Sequence, residues 1–531
     1  MTMRTGNQKR RLGLLSACIL FLMGGLVPVL AQEGVKQPKY VFVFIGDGTS
    51  FPQRNAAEFY RANLASPKNT EPAILRAQNK ISKDTGITTF KPDTKRLVMN
   101  TFPAQGISTT YSANSLITDS SSSGTAIATG NKTRDGVVGM DADARVKFTS
   151  MAKIAKAKGK KVGIVTSVSL DHATPASFYA SQPSRNDYYE ISLQAPQSGF
   201  DYFGGGGFKQ PKGRKGDQKD VFEVMAEDGY KITRDRAGFD ALSRYDGKAV
   251  AINPVLDADD ALPYTIDKSA GEITLAEFVQ KGIDLLDNEN GFFLMAEGGK
   301  VDWACHANDA ISAILDVIAF DEAVEVAYNF YKQHPEDTLI VVTGDHETGG
   351  MTVGFAGTRY DTFLDRIGKQ KGSYIAFNSV LDKMRKDQPN LTFETIQPII
   401  REFFGLEVYP ADEIDRLKKA AAEGDVIAID KLSFALQPFE VDTIKKGLAM
   451  TMVPAGDRPK NEDHYYKDYG SYEPLTVALT HVLNNKAGIG WTTFSHSGLP
   501  TPVSAVGVGS DRFMGHYDNT DIFKKVVSIA Y

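Results

Sequence analysis

Cysteine is nearly absent: the 531-residue chain has two, Cys18 and Cys305. Cys18 falls in an N-terminal stretch that reads as removable, which leaves Cys305 alone and excludes an internal disulfide. The fold must then be held by core packing, by metal or by association. Long blocks of one charge sign are missing too. Lys and Arg number 60, Asp and Glu 65, and the net charge is −5. That interspersed balance favours solubility and speaks against a nucleic-acid-binding surface. Internal repeats and low-complexity tracts are also lacking. What is present is ordinary globular apolar content, 42%, enough for a sizeable core. The length fits roughly two to four domains, or one large α/β domain with insertions.

At the N-terminus, Arg4, Lys9, Arg10 and Arg11 precede an apolar run from Leu12 to Leu30 that closes on Val29-Leu30-Ala31. Basic residues, an apolar stretch and small residues at the cut are the marks of a secretory signal, here residues 1–31 cleaved after Ala31. An uncleaved anchor is the second reading, because the run nearly spans a bilayer; Gly24, Gly25 and Pro28 weigh against it. Lipidation at Cys18, in the lipobox-like Leu15-Ser16-Ala17-Cys18, is the third. The expected protein is exported, periplasmic or secreted, with no stable membrane span after cleavage.

Short, continuous apolar runs recur: Tyr40–Ile45, Lys161–Val168, Phe292–Ala296, Thr338–Val342 and Val503–Val508, with a further strand over Gly106–Tyr111. Segments of helical spacing lie between them, at Phe51–Leu64, Phe148–Ala157 and Ile273–Leu286. Buried-type strands alternating with helices predict an α/β fold: a large, mostly parallel sheet with helices on both faces. Gly204–Gly207 reads as a loop, since no basic residue and helix follow to make a phosphate cradle. Residues 66–92 read as a loop-rich excursion. Residues 32–531 are expected to form one domain, interrupted at 351–490 by a charged, helical insertion that would serve as a cap or an oligomer contact.

The chemistry concentrates at strand ends. The run Phe292–Ala296 stops at Glu297, Gly298-Gly299 turns the chain, and Asp302 and His306 follow at i, i+4 on an amphipathic segment running through Ala310, Ile314 and Ile318. That spacing puts carboxylate and imidazole on one helix face, and these are the ligand types of divalent metals at hydrolytic sites. Cys305 is off that face and reads as a small packed residue. Asp47, His172, Thr174, Glu297, Asp345 and His346 all come just after strands, where open α/β sheets build their sites. Mixed His/Asp sets suit zinc and an oxygen-rich set suits magnesium. Ser120 is the candidate nucleophile, at the start of a helix over Thr125–Gly130 where free amides favour phosphate. Taken singly, each of these acids and histidines also reads as a salt bridge or a cap, Ser120–Ser123 as a capping cluster, and Arg185, in SQPSRND, as a surface arginine.

Taken in order, the motifs resemble the alkaline phosphatases. They are Gly46-Asp47-Gly48, Asp119-Ser120 with Ser121-Ser122-Ser123-Gly124-Thr125-Ala126, His172-Ala173-Thr174-Pro175, Glu297-Gly298-Gly299, Asp302 with His306, Asp345-His346-Glu347-Thr348-Gly349-Gly350 and Ser495-His496. The resemblance covers about Tyr40–Gly350 and again from Trp491 to the end. It implies two zinc ions, one on Asp302, His306 and His496, the other on Asp345, His346 and Asp47. It implies one magnesium ion on Asp47, Thr174 and Glu297, with His172 at the position beside it. Ser120 would form a phosphoserine that is then hydrolysed, and Arg185 would clamp the phosphoryl oxygens. The implied substrates are small phosphate monoesters, and the implied assembly is a homodimer.

Three features depart from the family pattern. His172 stands where some members have Asp and others have His, which lets zinc compete for the third site. Trp303 stands where others have Lys or His, and either packs near the phosphate pocket or fills a helix interface. The insertion is longer than in the smallest members. Two rival functions are compatible with much of the same residue set. One is a phosphodiesterase or sulfatase of the same superfamily, against which Thr174, Glu297 and Arg185 together argue. The other is a non-catalytic metal- or phosphate-binding protein, against which Ser120 argues.

Overall fold

The computed structural model describes residues 37–65, 95–388 and 390–531. The leader reading for 1–31 and the excursion over 66–92 lie outside these residues. Within Lys36–Tyr531 the chain forms one compact unit.

Its centre is a ten-stranded sheet. In chain order the strands are β1 (Tyr40–Gly46), β2 (Ala104–Thr109), β3 (Lys161–Thr166), β4 (Tyr202–Gly205), β5 (Tyr230–Thr233), β6 (Lys248–Ile252), β7 (Phe292–Glu297), β8 (Thr338–Gly344), β9 (Thr501–Gly507) and β10 (Gly515–Asp518). Their spatial order is β10-β2-β9-β8-β1-β7-β3-β4-β6-β5. Only β9 runs against its neighbours, β2 and β8; every other pairing is parallel. The expected α/β sheet is therefore present.

Alternation along a strand sends successive side chains to opposite faces. In β1, Tyr40, Phe42 and Phe44 enter one apolar core, and Val41, Val43 and Ile45 enter the other. Strand β7 divides likewise, Phe292, Leu294 and Ala296 against Phe293 and Met295. Both faces are thus buried, which is why these central strands read as unbroken apolar runs. The edge strands carry no such signature. Strand β5 is YKIT and β10 is GHYD, both partly exposed, and neither they nor β6 stands out in the sequence.

Three further readings need correction. Gly204 and Gly205 close β4 rather than forming a loop, because a Cβ on Gly205 would lie 1.9 Å from the Thr166 carbonyl oxygen; glycine is there for backbone approach. The helix after Asp119 spans Ser120–Thr129, starting earlier than Thr125, because Asp119 caps it. The segment from Asp302 to Ile318 is two helices, Lys300–His306 and Ala310–Gln333. Asn308, at φ 52°, breaks the first, and Asp309 caps the second through Ser312 N.

From Tyr374 to Ala487 the chain is helical, with its own apolar cluster built on Phe377, Ile396, Ile400, Phe404, Leu475 and Leu479. Two short antiparallel ribbons flank this region, Thr352–Val353 with Ile489–Gly490 and Glu347–Thr348 with His496–Ser497. The second sets His496 directly opposite Thr348, two residues after His346.

Candidate active site

Strand register delivers the first carboxylates. Ile45 at the end of β1 pairs with Glu297 on one side and Thr343 on the other, so Asp47, Glu297 and Asp345 emerge side by side. All three are fully buried. Gly48 (φ 67°) lets the turn after β1 pass close to the Lys300–His306 helix; a Cβ there would sit 2.7 Å from Asp302 Cα.

Hydrogen bonds fix the tautomers of three histidines. His306 Nδ1 lies 2.7 Å from the Phe494 carbonyl and His496 Nδ1 lies 2.7 Å from the Thr118 carbonyl. A carbonyl only accepts, so both Nδ1 atoms carry protons. Their Nε2 atoms then face each other at 3.1 Å, at 3.4 and 3.5 Å from Asp302 Oδ1. Thr348 Oγ1 donates to Asp302 Oδ1 at 2.5 Å and so accepts from His346 Nδ1 at 3.3 Å. The Nε2 lone pair of His346 consequently points at Asp47 Oδ1, 3.3 Å away, and Asp345 Oδ2, 3.4 Å away. Nitrogens and carboxylate oxygens this close must share a cation or a proton, and, against the effect of burial, Asp302 raises His306 above the usual imidazole range; a bound metal ion would take that proton's place. Backbone-oriented imidazoles of this kind are the usual outer support of metal-binding histidines. Asp302, His306 and His496 form one group able to hold an ion; Asp47, Asp302 and His346 form a second, so Asp302 stands between the two. Asp345 is held by Gly48 N, His346 N and Ser123 Oγ.

Charge in this space is uneven. Burial, then Asp345, Asp302 and Glu297, push Asp47 well above the usual carboxylate range. Burial also raises Asp302, but His306 and its neighbours outweigh it and hold Asp302 well below that range. Burial and His496 keep His346 neutral.

Ser120 opens its helix with its Oγ 3.2 Å from His346 Nε2, a neighbour 226 positions away in sequence. The cap residue Asp119 accepts from Ser122 N and from the Ser121 and Ser122 hydroxyls. It also accepts from Gly136 N at 3.0 Å and from Arg185, whose Nη1 donates to Oδ2 at 3.1 Å. Burial raises Asp119, but Arg185 and the serines outweigh it and hold the group ionised.

Beyond Arg185 lies a third group, Asp47, His172 and Glu297, with Thr174 alongside. Both Asp47 carboxylate oxygens, Thr174 Oγ1, Glu297 Oε1 and His172 Nδ1 are buried without a hydrogen-bond partner. So many orphaned atoms in one place fit a bound ion and its water. Burial, offset in part by Thr166, raises Glu297 to about 7. Arg185 Nη2 contacts His172 Nε2 at 3.2 Å. Guanidinium only donates, so the neutral ring carries its proton on Nδ1, and while that contact stands His172 offers this group a donor rather than a lone pair.

The structure thus gathers every candidate read from the sequence into one region. Trp303 packs against the core, its ring edge-on to His172 at 5.9 Å. Cys305 is a buried free thiol. Sequence reasoning missed Asp119, Ser123, Thr166 and Thr348 as supports. Only Asp119 had a signal, an Asp just ahead of a helix start.

A parallel sheet whose strand ends converge acids and imidazoles beside a helix-borne serine is how a metal-assisted hydrolase is built. A sequence model described as alkaline phosphatase matches residues 38–531. Alkaline phosphatase 3 of Bacillus subtilis (strain 168) is 28% identical over 518 residues, 95% of this chain and 93% of that protein. The solved cold-active alkaline phosphatase of a psychrophilic Shewanella species superposes with a TM-score of 0.66 at 26% identity, covering 93% of this chain and all of that one. The Thermus thermophilus alkaline phosphatase gives 0.68 at 25% identity, with 95% of each chain covered. The chain belongs to the alkaline phosphatase family, whose enzymes hydrolyse phosphate monoesters.

Proposed function

We propose that this enzyme hydrolyses small phosphate monoesters through a phosphoserine on Ser120. The observation that carries the reading is the convergence of three histidine Nε2 atoms on buried carboxylate oxygens within reach of that serine. Asp302, His306 and His496 would hold one zinc ion, and Asp47, Asp345 and His346 the second. Asp47, Thr174 and Glu297 would hold magnesium, with His172 beside them. Bound cations would supply Lewis-acid charge to the attacking and leaving oxygens. Ser120 Oγ, giving up its proton to solvent, attacks phosphorus as the bond to the leaving alkoxide breaks and water protonates that alkoxide; water then hydrolyses the phosphoserine, releasing phosphate and restoring the serine hydroxyl. Arg185, already oriented by Asp119, grips two non-bridging oxygens. The chain is further read as exported, to the periplasm or medium, after loss of residues 1–31. No helix among the described residues is long and apolar enough to cross a membrane. The 351–490 region is read as a cap-like insertion in a homodimer.

Rapid acid quench after mixing with a monoester, followed by peptide mass spectrometry, tests the mechanism. Phosphate on Ser120 supports it; turnover with no labelled serine overturns it. Comparing kcat/KM for a monoester, a diester and a sulfate ester with one common leaving group tests the substrate class, and a preference for either of the latter two overturns it.

A further inference from the structure

Phe494 sits between two of the proposed ligands. Its carbonyl accepts from His306 Nδ1 at 2.7 Å, and His496 follows two residues later. The helical region 374–487 grips its ring. Gly470, closing the helix Asp463–Tyr469, approaches so closely that a Cβ would lie 2.6 Å from the ring. The Tyr472 ring stacks at 6.3 Å, and the His481 ring lies nearly parallel at 5.8 Å and 12°.

His481, on the helix Pro474–Ala487, makes a second connection. Its Nε2 is 2.9 Å from Asn308 Oδ1. Asn308 Nδ2 donates to the Cys305 carbonyl at 2.8 Å and to the Thr493 carbonyl at 3.0 Å. Two carbonyls on that side fix the amide's orientation, so Oδ1 accepts and His481 donates from Nε2–H. Burial lowers His481 to about 4, so the ring stays neutral near pH 7. Asn484 Nδ2 closes the set on the Asn308 carbonyl at 2.8 Å. Asn308 is buried, and its left-handed backbone ends the helix that carries Asp302 and His306.

We propose that His481 and Asn308 are positioning residues for His306. Together they hold the end of its helix against the Thr493-Phe494 backbone, and so aim the His306 Nε2 lone pair at Asp302 and His496. The helical region then acts on the first metal site through Phe494 rather than merely covering it. This inference rests on the metal-centre reading above.

The test uses the full chain loaded with zinc and then mixed with excess chromophoric chelator. Asn308→Gly keeps the positive φ and deletes the side-chain bonds. His481→Phe keeps the ring against Phe494 and deletes the donor, and His481→Gln restores a donor. In wild type, zinc release should resolve into separate phases. Asn308→Gly and His481→Phe should each accelerate one phase about tenfold and leave the others in place, while His481→Gln stays near wild type. Unchanged release, uniform acceleration of every phase, or failure of the glutamine to rescue overturns the proposal. Wild-type protein that retains no zinc would overturn the metal-centre reading itself, and this inference with it.

Discussion

Arg185 and Asp119 form an ion pair, Nη1 to Oδ2 at 3.1 Å, through which one carboxylate both caps the Ser120 helix and aims the guanidinium. Asp119→Asn keeps an acceptor for Ser122 N but removes the charge. A charge-assisted bond is worth about 1.5–3 kcal/mol, so kcat/KM for a monoester should fall about tenfold or more. Arg185→Ala should fall further for a monoester than for a diester with the same leaving group. Steady-state kinetics on both substrates check this; equal losses would mean Arg185 does not clamp the phosphoryl group.

Ser120→Ala should leave metal content as in wild type, since the hydroxyl supplies none of the carboxylate or imidazole ligands. Turnover should drop by about 100-fold or more, as when a covalent nucleophile is removed. Elemental analysis and kinetics on one preparation separate the two effects.

Stripping with a chelator should abolish activity and lower Tm, because Asp47, Glu297, Asp302 and Asp345 are all buried close together and their repulsion then goes unscreened. Glu297→Gln removes one of these acids. Its stripped form should melt higher than stripped wild type, and its activity should lose magnesium stimulation. A variant still stimulated by magnesium would take Glu297 out of the third site.

Asp316, on the helix Ala310–Gln333, is buried, and that burial, offset in part by Lys300, raises it to about 7. Its ordinary value is near 4. The folded protein therefore binds a proton here that the unfolded chain gives up between about pH 4 and 7. This group's contribution is fully present below about pH 4 and is lost as pH rises through 7. Asp316→Asn should consequently gain stability over wild type as pH rises from about 5 to 8, by at most about 2.6 kcal/mol. Denaturant melts across that range check the slope; a constant difference would contradict it.

The central strands are legible in the sequence because burial on both faces leaves unbroken apolar runs, as in YVFVFI of β1. The residues immediately after those runs are legible as site residues for the same reason. Strands β5, β6 and β10 are not: they lie toward the sheet edges, where sequence demands are weaker. Gly204 and Gly205 mislead because glycine for close backbone approach looks the same in sequence as glycine for a turn.

Residue type, order and local spacing were determined by the sequence alone: which acids, histidines and serine are available, and that Asp302 and His306 share a helix face. Tertiary structure decided the rest. Ser120 meets His346 across 226 positions, and Asp302 stands between two groups rather than serving one. His306 and His496 are oriented by distant carbonyls, those of Phe494 and Thr118, and His346 by nearby Thr348, whose hydroxyl is itself set by distant Asp302. Local pattern encodes which face a residue takes, because that depends on neighbours along the chain. Which atom carries a proton, and toward what it points, depends on partners that only sheet order and the packing of residues 374–487 bring within bonding distance.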